Sequence, residues 1–227
     1  MKKIIILICI SITFNNAYAQ FEKDSKWIAG SFGFNFENSE NKPSSVKTNS
    51  FGFGIRPSLT KFISDKKMNN FFVGYSINST KNEQNPNFVN KSLNHSFNIG
   101  LGNSYLSPLF GKVYSTINTN YFFNYLYGKQ ETKNANVNPN QISSTVQNLY
   151  SLNFNIGIGL IYKVNNKFAV STSLNNLLYT SIYANNQKVN STGNPEQTIK
   201  TIGVEGGLGL SGFNFGNLQI GLMYRLK

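Results

Sequence analysis

The run Ser151-Leu152-Asn153-Phe154-Asn155-Ile156-Gly157-Ile158-Gly159-Leu160 alternates without a break. Large apolar side chains hold every even position, and small or polar ones hold every odd position. A period of two separates into two faces only on an extended strand; on a helix the two sets would mix around one cylinder. The segment is about as long as the roughly 9–11 residues with which a tilted strand crosses a bilayer.

The same pattern runs outward in both directions. Ile28, Gly30, Phe32, Phe34 and Phe36 alternate with Ala29, Ser31, Gly33 and Asn35, and Phe51, Phe53 and Ile55 with Gly52, Gly54 and Arg56. Phe71, Val73, Tyr75 and Ile77 oppose Phe72, Gly74, Ser76 and Asn78, and Phe97, Ile99 and Leu101 oppose Ser96, Asn98, Gly100 and Gly102. Ile117, Tyr121, Phe123 and Tyr125 then oppose Asn118, Asn120 and Asn124, a weaker run follows from Phe168 to Asn175, and a last one spans Leu218 to Leu226. These make eight strands. A further alternation, Ile202, Val204, Leu208 and Leu210 against Gly203, Glu205, Gly207 and Gly209, would make nine and put the termini on opposite sides. We therefore read Thr198 to Ser211 as a strand extension above the membrane or as merged into the last strand, with ten strands as the alternative.

One face is Phe, Ile, Leu, Val and Tyr; the other is Gly, Ser, Asn and Thr, too small and polar for the core of a soluble sandwich. The pattern predicts an all-β, transmembrane, antiparallel up-and-down β-barrel. Its apolar face meets lipid, its polar face lines the lumen, and closure leaves no strand edge unpaired. Connections alternate in length: Glu37 to Lys47, Ser79 to Leu93, Lys129 to Val146 and Tyr183 to Gln197 are long and polar, whereas Ser107 to Lys112 and Lys163 to Asn166 are short. Long extracellular loops and short periplasmic turns follow. The expected location is the bacterial outer membrane.

Export is written at the start. Lys2 and Lys3, an apolar run from Ile4 to Ile12 and Ala17-Tyr18-Ala19 read as a signal peptide over residues 1–19, leaving residues 20–227 as one barrel domain. The sole cysteine, Cys9, leaves with the signal, so the mature domain is expected to hold neither disulfides nor thiolate metal sites. Against 21 Lys and Arg stand 9 Asp and Glu, but the basic residues are scattered singly, with no stripe to follow a phosphate backbone. The partners expected are outer-membrane lipids and lipopolysaccharide, with no nucleic acid.

The stretches Gly54-Ile55-Arg56-Pro57, Phe62-Ile63-Ser64-Asp65 and Gly74-Tyr75-Ser76, with the ending Leu222-Met223-Tyr224-Arg225-Leu226-Lys227, resemble the small outer-membrane β-barrel domain family grouped with OmpX-like and OmpW-like porins. The resemblance implies insertion by the barrel-assembly machinery, which in that family reads an aromatic residue at the end of the last strand; here the final residue is Lys227.

Three strand charges, Arg56, Glu205 and Arg225, fall on the polar face and are read as a lumen ion-pair network that fixes register. His95 beside Ser96 raises a lipid A-modifying hydrolase, but adjacent strand residues point to opposite faces, so no enzyme activity is expected. Gly207-Leu208-Gly209-Leu210-Ser211-Gly212 matches a dinucleotide fingerprint without the helix it needs. With no metal-ligand spacing either, no cofactor is expected. Trp27, Phe71, Tyr105, Tyr150, Tyr162, Phe168 and Tyr224 are read as interfacial aromatic belts. The reading is a structural or surface-interaction protein that meets an extracellular ligand through its long loops. The alternative is a narrow, porin-like channel for small solutes or apolar molecules.

Overall fold

The computed structural model describes residues 21–41, 46–85, 88–134, 141–208 and 218–226. Among them nine strands form one antiparallel sheet: β1 (Lys26–Asn41), β2 (Val46–Ser64), β3 (Lys67–Asn85), β4 (Phe88–Phe110), β5 (Val113–Asn134), β6 (Gln141–Lys163), β7 (Phe168–Ser191), β8 (Gln197–Leu208) and β9 (Leu218–Arg225). No helix among the described residues is long and apolar enough to cross a membrane.

Each strand from β1 to β7 pairs with the next, β7 pairs with β9, and β9 returns to β1 through Trp27↔Arg225 to Phe32↔Ile220. The ring therefore closes. Nine strands fill eight positions around it, because β8 and β9 lie along the same side of β7: Leu208 stands opposite Leu178, and Leu218 opposite Leu174. The ninth alternation in the sequence is the far half of the last strand, one of the two placements expected for it. Residues 209–211 of that segment lie outside the described residues.

The alternation sets the two faces as expected. Leu101, Leu152 and Phe34 are 62%, 61% and 65% exposed, an arrangement unfavourable in water and satisfied by lipid. On β6 the outward face reads Tyr150, Leu152, Phe154, Ile156, Ile158, Leu160, Tyr162. Its two tyrosines are twelve residues apart, or about 40 Å along the strand and about 28 Å of height at a tilt of about 45°, close to the hydrocarbon thickness of a bilayer. Phe71, Tyr105, Phe168 and Tyr224 are likewise exposed. Trp27, expected in the same belts, is instead 2% exposed and points into the barrel. Its parity explains this, since Trp27 shares a face with Ala29 and Ser31.

The two ends differ. At one, Asp65-Lys66, Gly111-Lys112 and Val164 to Lys167 make short turns; Gly111 supplies the positive φ (53°) that its two-residue turn requires, and Asn165 Oδ1 accepts from the Lys167 and Phe168 amides at 2.7 and 2.9 Å. At the other, much of the polar sequence read as long connections continues the ladders. β4 and β5 pair out to Phe88↔Asn134, and β6 and β7 out to Ser143↔Ser191.

Candidate functional site: the lumen

The lumen is layered from the short-turn end upward. Its floor is apolar. Phe21, just before β1, stacks on Phe62 at 4.4 Å between ring centroids, with Trp27 edge-on at 5.5 Å and Tyr114 at 5.2 Å. Met68, Leu106, Ile161, Ala169 and Met223 complete the plug. Backbone bonds pin the segment that carries Phe21: Asp24 N donates to Phe62 O (2.8 Å), and Phe62 N to Ser25 O (3.0 Å). Side chains add to this, with Trp27 Nε1 donating to Ser25 Oγ (3.1 Å) and Ser25 Oγ to Glu22 O (2.6 Å). Lys163 Nζ lies over the Phe21 ring, 5.2 Å from its centroid.

The alternation had suggested a lumen of small polar residues throughout. The floor departs from that because the inward parity itself turns apolar near the short turns, at Trp27, Phe62, Leu106, Ile161 and Met223. Consecutive apolar residues such as Tyr105-Leu106 and Leu160-Ile161-Tyr162 are the signal in the sequence.

Above the floor is a layer of hydroxyls and amides around a cavity of ≈ 120 Å³, with Thr60, Ser104, Thr116 and Asn120 buried in its wall. Asn120 Nδ2 donates to Asn155 Oδ1 (2.9 Å), and Asn155 Nδ2 to Asn176 Oδ1 (2.7 Å), tying β5, β6 and β7 together. Asn176 sits in a bulge: the register jumps from Ile156↔Leu178 to Ile158↔Leu174, so three β7 residues face Gly157 alone. Asn176 takes φ 63°, a left-handed conformation that Asn tolerates better than most side chains. The last strand divides at the same level.

Next comes Arg56, whose guanidinium carbon lies 3.4 Å from the centroid of Phe72, itself 6.1 Å from Phe122. A Cβ on Gly100 would meet the Phe72 ring at 2.7 Å, so glycine there makes room for the pair. Above Arg56 opens a second cavity of ≈ 400 Å³, lined inside by Ser31, Asn98, Asn155 and Gln219 and reaching Phe32 and Phe34 on the outer wall. Those two phenylalanines stand where β1 loses its second neighbour. Beyond Phe32, β1 pairs with β2 alone, and β8 pairs with β7 alone, among the described residues. Among the described residues the wall is thus unpaired between the far parts of β1 and β8.

The three lumen charges expected to form a network stand apart. Arg225 makes a two-pronged pair with Glu22, Nη1 donating to Oε1 at 2.8 Å and Nη2 to Oε2, and this bond holds the Glu22 carboxyl below its ordinary range. Glu205 is exposed on β8, opposite Ser181, and Arg56 rests on Phe72. The network fails because Glu205 stands opposite Ser181, toward the far end, whereas the Arg225 amide donates to Lys167 O at the short-turn end, and because Glu22, before the first strand, offers Arg225 a nearer carboxylate.

His95 and Ser96 lie on opposite faces. His95 Nδ1 is 2.7 Å from Tyr75 Oη on the outer wall, while Ser96 Oγ donates to Asn124 Oδ1 (2.6 Å). They do not form a nucleophile and base pair. Gly203 and Gly207 sit beneath the rings of Tyr183 and Tyr179, strand positions with no helix between them; most of the Gly207–Gly212 motif lies outside the described residues. No group of His, Cys, Asp and Glu with metal-holding geometry occurs among the described residues.

The closed antiparallel ring with an apolar exterior and a polar lumen is the architecture of outer-membrane β-barrels. No family model matches the chain, and no curated protein matches it. Among solved structures it is similar to a major outer membrane protein from Thermus thermophilus, at 12% identity over 89% of this chain and 98% of that one, with a TM-score of 0.48. It is also similar to the outer membrane protein OprG from Pseudomonas aeruginosa, at 11% identity over 92% and 99%, with a TM-score of 0.48. The barrel itself is established by the ring of strand pairings.

Proposed function

We propose that this chain is an outer-membrane barrel with a structural or surface-interaction role, exported by residues 1–19 as a signal peptide and held by outer-membrane lipids and lipopolysaccharide. The observation that carries this reading is the floor: Phe21, Phe62 and Trp27 are 1%, 0% and 2% exposed, so the lumen ends blind at the short-turn, periplasmic side. A blind lumen does not conduct bulk solute. The far ends of the strands, long and rich in Asn, Ser and Lys, project from the membrane as the surface offered to an extracellular ligand. The nearness to OmpX-like barrels, assembly by the barrel-assembly machinery and the absence of enzyme activity belong to the same proposal. Planar bilayers carrying the purified chain should show single-channel conductance no greater than the lipid background; discrete openings would refute the closed floor.

A second reading, a passage for small apolar molecules, rests on the stretch of wall between β1 and β8 that is unpaired among the described residues, where the larger cavity meets Phe32 and Phe34. A path through this gap would bypass the floor and give uptake without ionic conductance. Whole-cell uptake of a small aromatic hydrocarbon, compared with and without the protein, separates the two readings: uptake that depends on the protein favours the passage, and equal uptake leaves the structural role.

A further inference from the structure

Arg56 is the one charged side chain lining either lumen cavity, and no carboxylate lines them among the described residues. It makes no ion pair or side-chain hydrogen bond with any described residue; its contact is the face of Phe72. The ring face attracts the cation but accepts none of its forked N–H hydrogen bonds, which leaves those donors unfilled at the floor of the ≈ 400 Å³ cavity. Around that cavity, Asn98, Asn155 and Gln219 bring further amide groups and Phe122 a ring. Intramembrane arginines are ordinarily matched by a partner.

We propose that the upper lumen is a binding site for a small organic monocarboxylate, its two oxygens on the Arg56 fork and its apolar part against Phe122. The fork matches a carboxylate with two parallel hydrogen bonds. The single cation lining the cavity neutralises one negative charge, so a dianion such as hydrogen phosphate would carry an uncompensated charge into it. The lower cavity, at ≈ 120 Å³, is the smaller of the two, so the ligand sits above Arg56 and enters from the far end. This site needs the closed ring and is independent of any lateral path.

The test uses the full mature chain in detergent micelles and ligand-observed NMR, with benzoate as probe, benzamide as its neutral counterpart and inorganic phosphate at a pH well above its second ionisation, where the dianion predominates. Benzoate should bind at least about tenfold more tightly than benzamide, a difference of about 1.4 kcal/mol, and phosphate should not displace it. Arg56→Gln should abolish the preference, and Arg56→Lys, which keeps the charge without the fork, should retain part of it. Equal binding of benzoate and benzamide overturns the proposal, as does displacement by phosphate or a preference that survives Arg56→Gln. The comparison in the unsubstituted chain needs no variant, and a heat-sensitive gel shift reports barrel closure separately, so loss of the barrel is not mistaken for loss of the site.

Discussion

The two ends of this barrel are built on one alternation and reach opposite results. At the short-turn end the inward positions are Trp27, Phe62, Leu106, Ile161 and Met223, the wall is paired all round, and Phe21 fills the middle. At the far end the inward positions are mostly Gly, Ser and Asn, and β1 and β8 each keep an unpaired edge among the described residues. The outer face is apolar across the membrane-spanning part of the wall, so lipid contact does not distinguish the ends; what the inward parity carries does. Packed rings give cohesion at one end, and small polar groups leave space at the other.

Substitutions should reproduce that asymmetry. The largest effect is expected at the floor: Phe62→Ala removes a fully buried ring stacked on Phe21 and should destabilise by about 3–5 kcal/mol, read as a lower urea midpoint of the heat-modifiable band. Next is the amide chain. Asn155→Leu strands Asn120 and Asn176 and should cost about 1–3 kcal/mol, with hydrogen exchange accelerating in β5 and β7. A smaller effect depends on pH. Because Arg225 lowers the Glu22 carboxyl in the folded chain, the pair contributes stability above the ordinary value of 4.5 that is lost as pH falls through the lowered folded value. Glu22→Gln should flatten that acid limb in unfolding midpoints taken from pH 6 to pH 3. The smallest effect belongs to the far end, where Ile202, 83% exposed on the free strand, should tolerate Ile202→Ser within about 0.5 kcal/mol.

Most of the wall was legible in the sequence because lipid and lumen impose a period of two with unlike faces, and strand β6 shows it most completely. The eight positions followed from the topology expected of such barrels, and the divided last strand was visible as an extra alternation. What the alternation hid was the interior. Trp27 reads as a belt residue by type and as a lumen residue by parity, and parity decides. Phe21 and Glu22 precede the first strand, so no periodicity marks them, yet they supply the plug and the partner of Arg225. The β7 bulge was equally silent: its sign is the Asn175-Asn176 pair inside a weak alternation, and only the register shows three residues facing one. Arg56, Glu205 and Arg225 share the polar parity of their strands, but parity gives no height along the barrel, and height separates Glu205 from the two arginines.

The whole architecture turns on β6 presenting its even face to lipid and its odd face to the lumen. The mature chain is expected to lack cysteine, Cys9 being the only one in the sequence, so single cysteines can be placed from Ser151 to Leu160, spin-labelled and exposed in vesicles to oxygen as a lipid-phase relaxant. High oxygen accessibility is expected at Leu152, Phe154, Ile156, Ile158 and Leu160, with low values at the intervening positions, a period of two across the whole segment. Uniform accessibility, or the opposite phase, would overturn the assignment of the two faces.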